Sequence, residues 1–338
     1  MRVKNSKPKI VVVLGPTASG KSALAVRLAK LFNGEVISAD SRQVYRGVDL
    51  GSDKVPHDRC QVSGFRFQEK DGCFYEGVRH HLIDVVSPKK TFTVTQYKKL
   101  AEKAIRDIIK RGKIPIIAGG TGLYIDTLIN DWKLPRVKPN LKLREELEKK
   151  SAEELFLELK KLDPKRAVGI DRHNKRRLVR AIEIVMQTGK PVPYLSLIRA
   201  NKRIVGREFL KIGIKVAPEE LKKRIKKRTL KRLREGVIQE MEGLKKSGVS
   251  QKRLNDISLY YRWVGPFLDG EMNKLETLET IAVKIGQYAK RQMTWFKRDK
   301  SINWISRGSQ ADPIKNKDTL RALTVFNGAR RLVEKFLR

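Results

Sequence analysis

The sequence predicts an α/β fold, with a parallel sheet core and a mostly α-helical insertion. Three observations predict it. Short β-branched runs, KIVVVLG (9–15), GEVISAD (34–40) and IPIIAGGTG (114–122), end in glycine or polar turns, as buried parallel strands do. Segments with helical spacing of apolar residues lie between them. Residues 134–204 then change character, becoming strongly charged and helical between proline-containing stretches.

The first strand, 9–15, runs into GPTASGKS (15–22). KSALAVRLAKLF (21–32) places Leu24, Leu28, Leu31 and Phe32 at helical spacing. The second strand ends at Asp40. RHHLIDVVSP (79–88) holds another apolar run, stopped by Pro88. TVTQYKKLAEKAIRDIIKRGK (93–113) is an amphipathic helix with Gly112 near its end. After the strand in 114–122, LYIDTLI continues as a helix. WKLPRVKPN (132–140) reads as an exit from the core, and 141–188 as helices with a break at DPKRAVGID (163–171). TGKPVPYL (188–195) is a return linker. FLKIGIKV (209–216) resumes the sheet, followed by a basic helix over 218–236, a helix over 277–296, a last strand INWIS (302–306) and a terminal helix over 318–338. The expected organisation is therefore a first core part at 1–133, an insertion at 134–204, a second core part at 205–307 and a helical extension at 308–338.

The chain is 338 residues long and 40% hydrophobic, enough for one large core or two smaller ones. Its 75 basic against 37 acidic residues give a formal net charge of +38, which points to a polyanionic partner, nucleic acid before an anionic membrane. No apolar run is long enough to span a bilayer, so no membrane association is expected. Cys60 and Cys73 are the only cysteines, without a C-x-x-C, so neither a zinc site nor a disulfide framework is expected, as suits a reducing cytoplasmic setting.

GPTASGKS fits G-x-x-x-x-G-K-[ST], and it stands between a strand and a helix, as a phosphate-cradling P-loop requires. Such loops bind ATP and other nucleotides, and other phosphorylated donors too. Lys21 would place a point charge on the terminal phosphates, and Ser22 would help hold Mg²⁺. Asp40 follows a strand end, where it could ligate a metal, act as a base or cap a helix. Gly119, Gly120 and Thr121 follow another strand end, so all three loops can share one cleft. His80 and His81 point to opposite faces of a strand, which argues for structural roles. NKRRLVRA (174–181), KKRIKKRTLKRLR (222–234) and AKRQMTWF (289–296) supply basic side chains, the last with aromatics suited to base stacking.

Taken in order, GPTASGKS, SADSRQVYRGVDLGSDK, HHLID, AGGTGLY, KRRLVRAIE and YAKRQMTWF resemble the tRNA dimethylallyltransferase (tRNA isopentenyltransferase) family, from Ile10 to about Phe296. The resemblance implies a P-loop kinase-like core whose helical insertion grips the anticodon stem-loop of tRNA. It implies that the P-loop holds dimethylallyl diphosphate, and that the dimethylallyl group moves to N6 of adenosine 37 with diphosphate leaving. Gly15, Thr17, Ala18, Ser19, Gly20, Lys21 and Ser22 would hold the diphosphate, with Mg²⁺ at Ser22. Asp40 would accept a proton from the adenine amine or orient it, and Arg224 or Arg228 would stabilise the leaving group. Asp40, Ser41, Arg42, Gln43, Thr121, Arg176, Arg177, Arg180, Lys290 and Arg291 match stretches that contact tRNA. Asn174, Tyr260 and Gly286 depart from the usual pattern. A monomer is expected. The alternatives are an adenylate isopentenyltransferase, a small-molecule kinase and a non-catalytic P-loop RNA-binding protein.

Overall fold

The computed structural model describes residues 7–56, 59–61, 72–135, 137–192, 206–307 and 317–338. The end of the expected return linker (193–195) and the start of the expected C-terminal extension (308–316) lie outside them. The chain divides into two compact units, 1–129 with 206–338, and 130–205.

The larger unit is built on an eight-stranded sheet. Its strands are β1 (Lys9–Leu14), β2 (Gly34–Ser38), β3 (Arg59–Gln61), β4 (Gly72–Tyr75), β5 (Val78–His81), β6 (Ile114–Gly119), β7 (Glu208–Lys215) and β8 (Asn303–Ser306), in spatial order β3-β4-β5-β2-β6-β1-β7-β8. The six strands from β5 to β8 pair in parallel, as the apolar runs predict. β3 and β4 add an antiparallel edge, which the sequence does not announce because each strand is too short to show a period. Within it Cys60 and Cys73 are register partners, and Cys73 is disulfide-bonded. The sequence predicts no disulfide framework; the single bond at Cys73 goes beyond that expectation, where the ladder sets opposite each other two cysteines that look unrelated in the sequence.

Helices cover both faces, because parallel strands are apolar on both sides. On one face α2 (Val94–Lys110) and α3 (Gly122–Ile129) bury Tyr97, Ile105, Ile125 and Leu128 against Ile10, Val12 and Ile117. Thr93 and Gln96 start α2 with a reciprocal capping box. On the other face α1 (Lys21–Leu31) and the C-terminal α13 (Lys317–Leu337) bury Leu24, Leu28, Val325 and Val333 against Val11, Val13 and Ile212. The guanidinium of Arg27 lies 3.9 Å from the Phe326 ring, joining these two helices.

A second core joins α8 (Pro218–Arg234), α9 (Val237–Lys246), α10 (Gln251–Ile257), α11 (Leu259–Leu268) and α12 (Lys274–Phe296) to the loop after β2 through Val44, Tyr45, Met241, Tyr260 and Ile285. Tyr261 is part of this packing: its ring fills the space beside Gly51, and its hydroxyl donates to Glu240 at 2.5 Å.

The smaller unit contains α4 (Leu141–Lys149), α5 (Ala152–Leu162), α6 (Pro164–Val168) and α7 (Lys175–Thr188) around Leu147, Leu155, Leu159, Leu178 and Ile182. Its buried anchor is Glu183, which accepts from Asn140 N–H and Arg144 at 2.8 Å and pairs with Arg180. Asn174 caps α7 by accepting from Arg177 N–H at 3.2 Å, the job an aspartate would do there.

Candidate active site

The carboxyl ends of β1, β2 and β6 open into a cavity of about 440 Å³, lined by Thr17, Gly20, Lys21, Ser22, Asp40, Asp53, Arg224 and Arg228 among others. Gly20 takes a φ of +92°, open to glycine at little cost, and turns the loop into α1. No side chain caps α1, so its first N–H groups and its dipole are left for an anion. The Ser19 hydroxyl is buried without a hydrogen-bond partner among the described residues, so the loop retains a donor for a ligand.

Side chains from distant segments shape this loop. Lys21 Nζ rests 3.3 Å from Pro16 O. Arg224 Nε donates to Ala18 O at 2.9 Å, and Arg228 Nη2 donates to Thr17 Oγ1 at 2.7 Å. The two arginines, four apart on α8, therefore both serve the P-loop. Burial, and secondarily Arg228, push the Lys21 ammonium down to about 8, while Asp40 works in the opposite sense. An arriving phosphate would favour the charged form and raise it again.

Asp40 does not start a helix. Its Oδ1 accepts from Arg42 N–H at 2.8 Å, which fixes a turn and leaves the carboxylate on the cavity. Thr121 ties the β6 turn to this turn: its Oγ1 accepts from Ser41 N–H at 3.1 Å, and its N–H donates to Ala39 O at 3.1 Å. Gly119 is needed there because a Cβ would collide with Ala39 O. The phenol of Tyr288 is pushed up to about 12 by burial and by Asp40, so a neutral hydroxyl stands near that carboxylate.

The other sequence-selected residues differ in what occupies them. Gln43 bridges Ser38 Oγ (2.9 Å) and Asp53 O (3.2 Å). Arg42, Lys290 and Arg291 are exposed in the larger unit, and Arg176 and Arg177 are exposed on α7. Arg180, on the same helix, is half-buried on Glu183 and Val137 O. His81 bonds buried Glu35 at 2.7 Å, and His80 contacts Val78 O at 3.0 Å, so both have structural partners.

Two site residues were not singled out from the sequence. Gln292 on α12 accepts from Thr17 N–H and donates to Gly120 O, each at 2.8 Å, so it clamps the P-loop to the β6 turn. Its signal was a polar residue in register with the buried Ile285, Ala289 and Phe296. Asp53 pairs with both Arg228 and Arg232 at 3.0 Å. No local pattern announces Asp53, since its partners are remote in sequence.

The donor set would suit a magnesium ion whose remaining ligands come from a phosphorylated molecule and water. Ser22 offers one hydroxyl and Asp40 one carboxylate, and no cluster of three or more His, Cys, Asp or Glu is present among the described residues. Mg²⁺ binds readily through few protein ligands when phosphate oxygens and water supply the rest.

Fold and site together define a P-loop enzyme whose cavity brings Lys21, Arg224 and Arg228 together at the loop, with the Asp40 carboxylate on the same cavity. A family model described as IPP transferase matches residues 43–299, and one described as isopentenyl transferase matches 8–67. The chain belongs to the IPP transferase family. It is 38% identical over 307 residues to the tRNA dimethylallyltransferase of Acetivibrio thermocellus, covering 88% of this chain and 91% of that one. It is 36% identical to the protein of the same name from Anoxybacillus flavithermus, covering 88% and 90%. Among solved structures, it is similar to a tRNA isopentenylpyrophosphate transferase of Staphylococcus epidermidis, with a TM-score of 0.64, 32% identity and coverage of 97% and 99%. A eukaryotic dimethylallyltransferase described as acting on tRNA gives a TM-score of 0.72 at 27% identity, covering 96% and 80%.

Proposed function

We propose that the protein transfers a dimethylallyl group from dimethylallyl diphosphate to N6 of adenosine 37 in the anticodon stem-loop of tRNA. The observation that carries this reading is the meeting of the P-loop, Lys21, Arg224, Arg228 and Asp40 on one cavity, in a chain whose relatives bear that name.

The donor's diphosphate sits on the α1 N-terminus. Ser19, Lys21 and Ser22 contact it, and Arg224 and Arg228 close over it. Ser22 would help hold a magnesium ion, which would supply neutralisation of the leaving group's charge. The adenine leaves its stack to enter the cleft. Asp40 accepts a hydrogen bond from the N6 amine and orients it on C1 of the dimethylallyl group. The new N–C bond forms as the C–O bond breaks, its electron pair departs on diphosphate, and Asp40 takes the surplus amine proton. An exocyclic amine is a weak nucleophile, so positioning contributes as much as basicity. Thr121 and Tyr288 support the Asp40 turn. Exposed Arg42, Arg176, Arg177, Lys290 and Arg291 contact tRNA phosphates, and the enzyme works as a monomer.

The test is a transfer assay with purified protein, Mg²⁺ and labelled dimethylallyl diphosphate, offered unmodified tRNA or AMP. Label on tRNA, mapped to adenosine 37, supports the reading. Label on AMP alone assigns a free nucleotide as acceptor, and label on neither, with both shown to bind, removes the catalytic reading.

A further inference from the structure

The cavity is built to receive a highly charged anion, yet it contains a second carboxylate that the transfer does not use. Asp53 lines it beside Lys21 and Arg228. Its Oδ2 lies 3.0 Å from Arg228 Nη2, the nitrogen that also donates to Thr17 Oγ1, and its Oδ1 accepts from Arg232 Nε at 3.0 Å. The side chain is only 17% exposed.

The carboxylate is held there by design of the surrounding loop. Asp53 itself takes a φ of +52°, uncommon for a non-glycine residue. Glu240 accepts from the N–H groups of Asp49, Leu50 and Gly51, each at 2.8 Å. Buried Lys54 bonds Tyr45 O and Asp49 at 2.7 Å and Asp84 at 2.5 Å. Gln43 donates to Asp53 O. The carboxylate is thus anchored from both sides of its own residue.

We propose that Asp53 is a specificity residue that weakens the hold of the arginines on the free diphosphate product more than on the donor, and so promotes product release. This rests on the donor assigned above. When the donor's C–O bond breaks, the electron pair stays on oxygen, so the departing diphosphate bears one more negative charge than it did as an ester. A fixed carboxylate already bound to Arg228 competes with both species, and it repels the more highly charged one more strongly. Lys21, Arg224 and Arg228 then stabilise developing charge during transfer without retaining it afterwards.

The experiment measures the Kd of inorganic diphosphate and of dimethylallyl diphosphate by calorimetry at fixed Mg²⁺, on the full chain and on Asp53→Asn. Asparagine keeps the size and tolerates a positive φ. The expected result is a Kd for diphosphate lowered about tenfold, with a smaller change, about threefold, for the donor. The inhibition constant of diphosphate in the transfer assay falls in parallel. Asp53→Glu, which keeps the charge, should not reproduce that tightening. Should Asp53→Asn not fold, Asp53→Gly, suited to the same φ, carries the same expectation. Diphosphate affinity that is unchanged or weaker in the neutral variant overturns the proposal, and the weaker case marks Asp53 as a prop for Arg228. Equal tightening by Asp53→Glu overturns it as well. If the wild-type protein binds neither ligand, the donor reading fails and this inference with it, an outcome distinct from binding that Asp53→Asn leaves unaltered.

Discussion

Gln292 and Thr17 stand at opposite ends of the sequence, yet the Thr17 backbone N–H donates to Gln292 Oε1 at 2.8 Å. That amide is therefore committed inside the protein, and Thr17 faces the cavity through its hydroxyl, itself held by Arg228. The same Gln292 amide group donates to Gly120 O, so one side chain sets the spacing between the phosphate loop and the turn carrying Thr121. Gln292→Leu leaves a buried N–H and a buried carbonyl without partners, a loss of about 2–4 kcal/mol of stability. We expect transfer to fall about 10–100-fold, as misplacement of reacting groups does, with tRNA affinity at low salt kept. A tRNA affinity that drops as far as the rate would show general damage to α12.

Asp40→Ala should reduce transfer about 10²–10⁴-fold, the usual weight of a positioned acid–base group, and leave tRNA binding largely intact. Single-turnover rates read beside filter-binding affinities separate the two. Parallel loss of both would make Asp40 a prop for the turn it forms with Arg42.

Lys21 gives a pH dependence with a definite sign. In the free protein its ammonium is held down to about 8, chiefly by burial. Below that pH it is already charged, and diphosphate binding takes up no proton. Above it the neutral amine must gain a proton on binding, so affinity should weaken about tenfold per pH unit. Calorimetry from pH 7 to 9.5 checks this, and Lys21→Met should bind weakly with no such slope.

Glu183 predicts where the smaller unit fails in acid. Burial raises its carboxyl, but hydrogen bonds from Arg144, Asn140 N–H and Arg180 outweigh that and bring it down to about 2. Its folded value lies below its unfolded one, so the stabilisation is complete above about pH 4.5 and is lost as pH falls toward 2. Circular dichroism across that window should show helix loss that Glu183→Gln moves to higher pH or removes.

Salt tests the basic surface. With several lysine and arginine contacts to phosphates, log affinity for tRNA should fall linearly with log salt, by about 0.7–0.9 for each contact. Arg177→Ala, an exposed position, should lower that slope by about one contact. A flat response would remove the exposed basic residues from the interface.

Most of the core was legible because parallel strands and their covering helices write their periods locally. Ile10–Leu14, Leu24–Leu28 and Ile114–Ala118 all fall on elements where their apolar spacing places them. The P-loop was legible for the same reason, being contiguous. What escaped notice depends on partners far along the chain. Asp53 acquires meaning only when α8 folds over it, and Gln292 only when α12 passes beneath the loop. The edge formed by β3 and β4 is too short to show alternation. The helices over Val237–Leu268 are interrupted around Gly248 and at Ser258, and Pro266 lies inside the last of them, which obscures their period.

The order of the strands also sets a timetable. β1 lies between β6 and β7, and β7 follows β1 by about 190 residues of chain. A ribosome adding about 5–20 residues per second makes β7 roughly 10–40 s after β1. For that interval one side of the strand leading into the P-loop has no neighbour, and its unpaired amides and carbonyls invite wrong pairing. The P-loop is thus encoded near the start of the chain but its surroundings are completed near the end, so the signature motif is made long before the strand that leads into it has both neighbours.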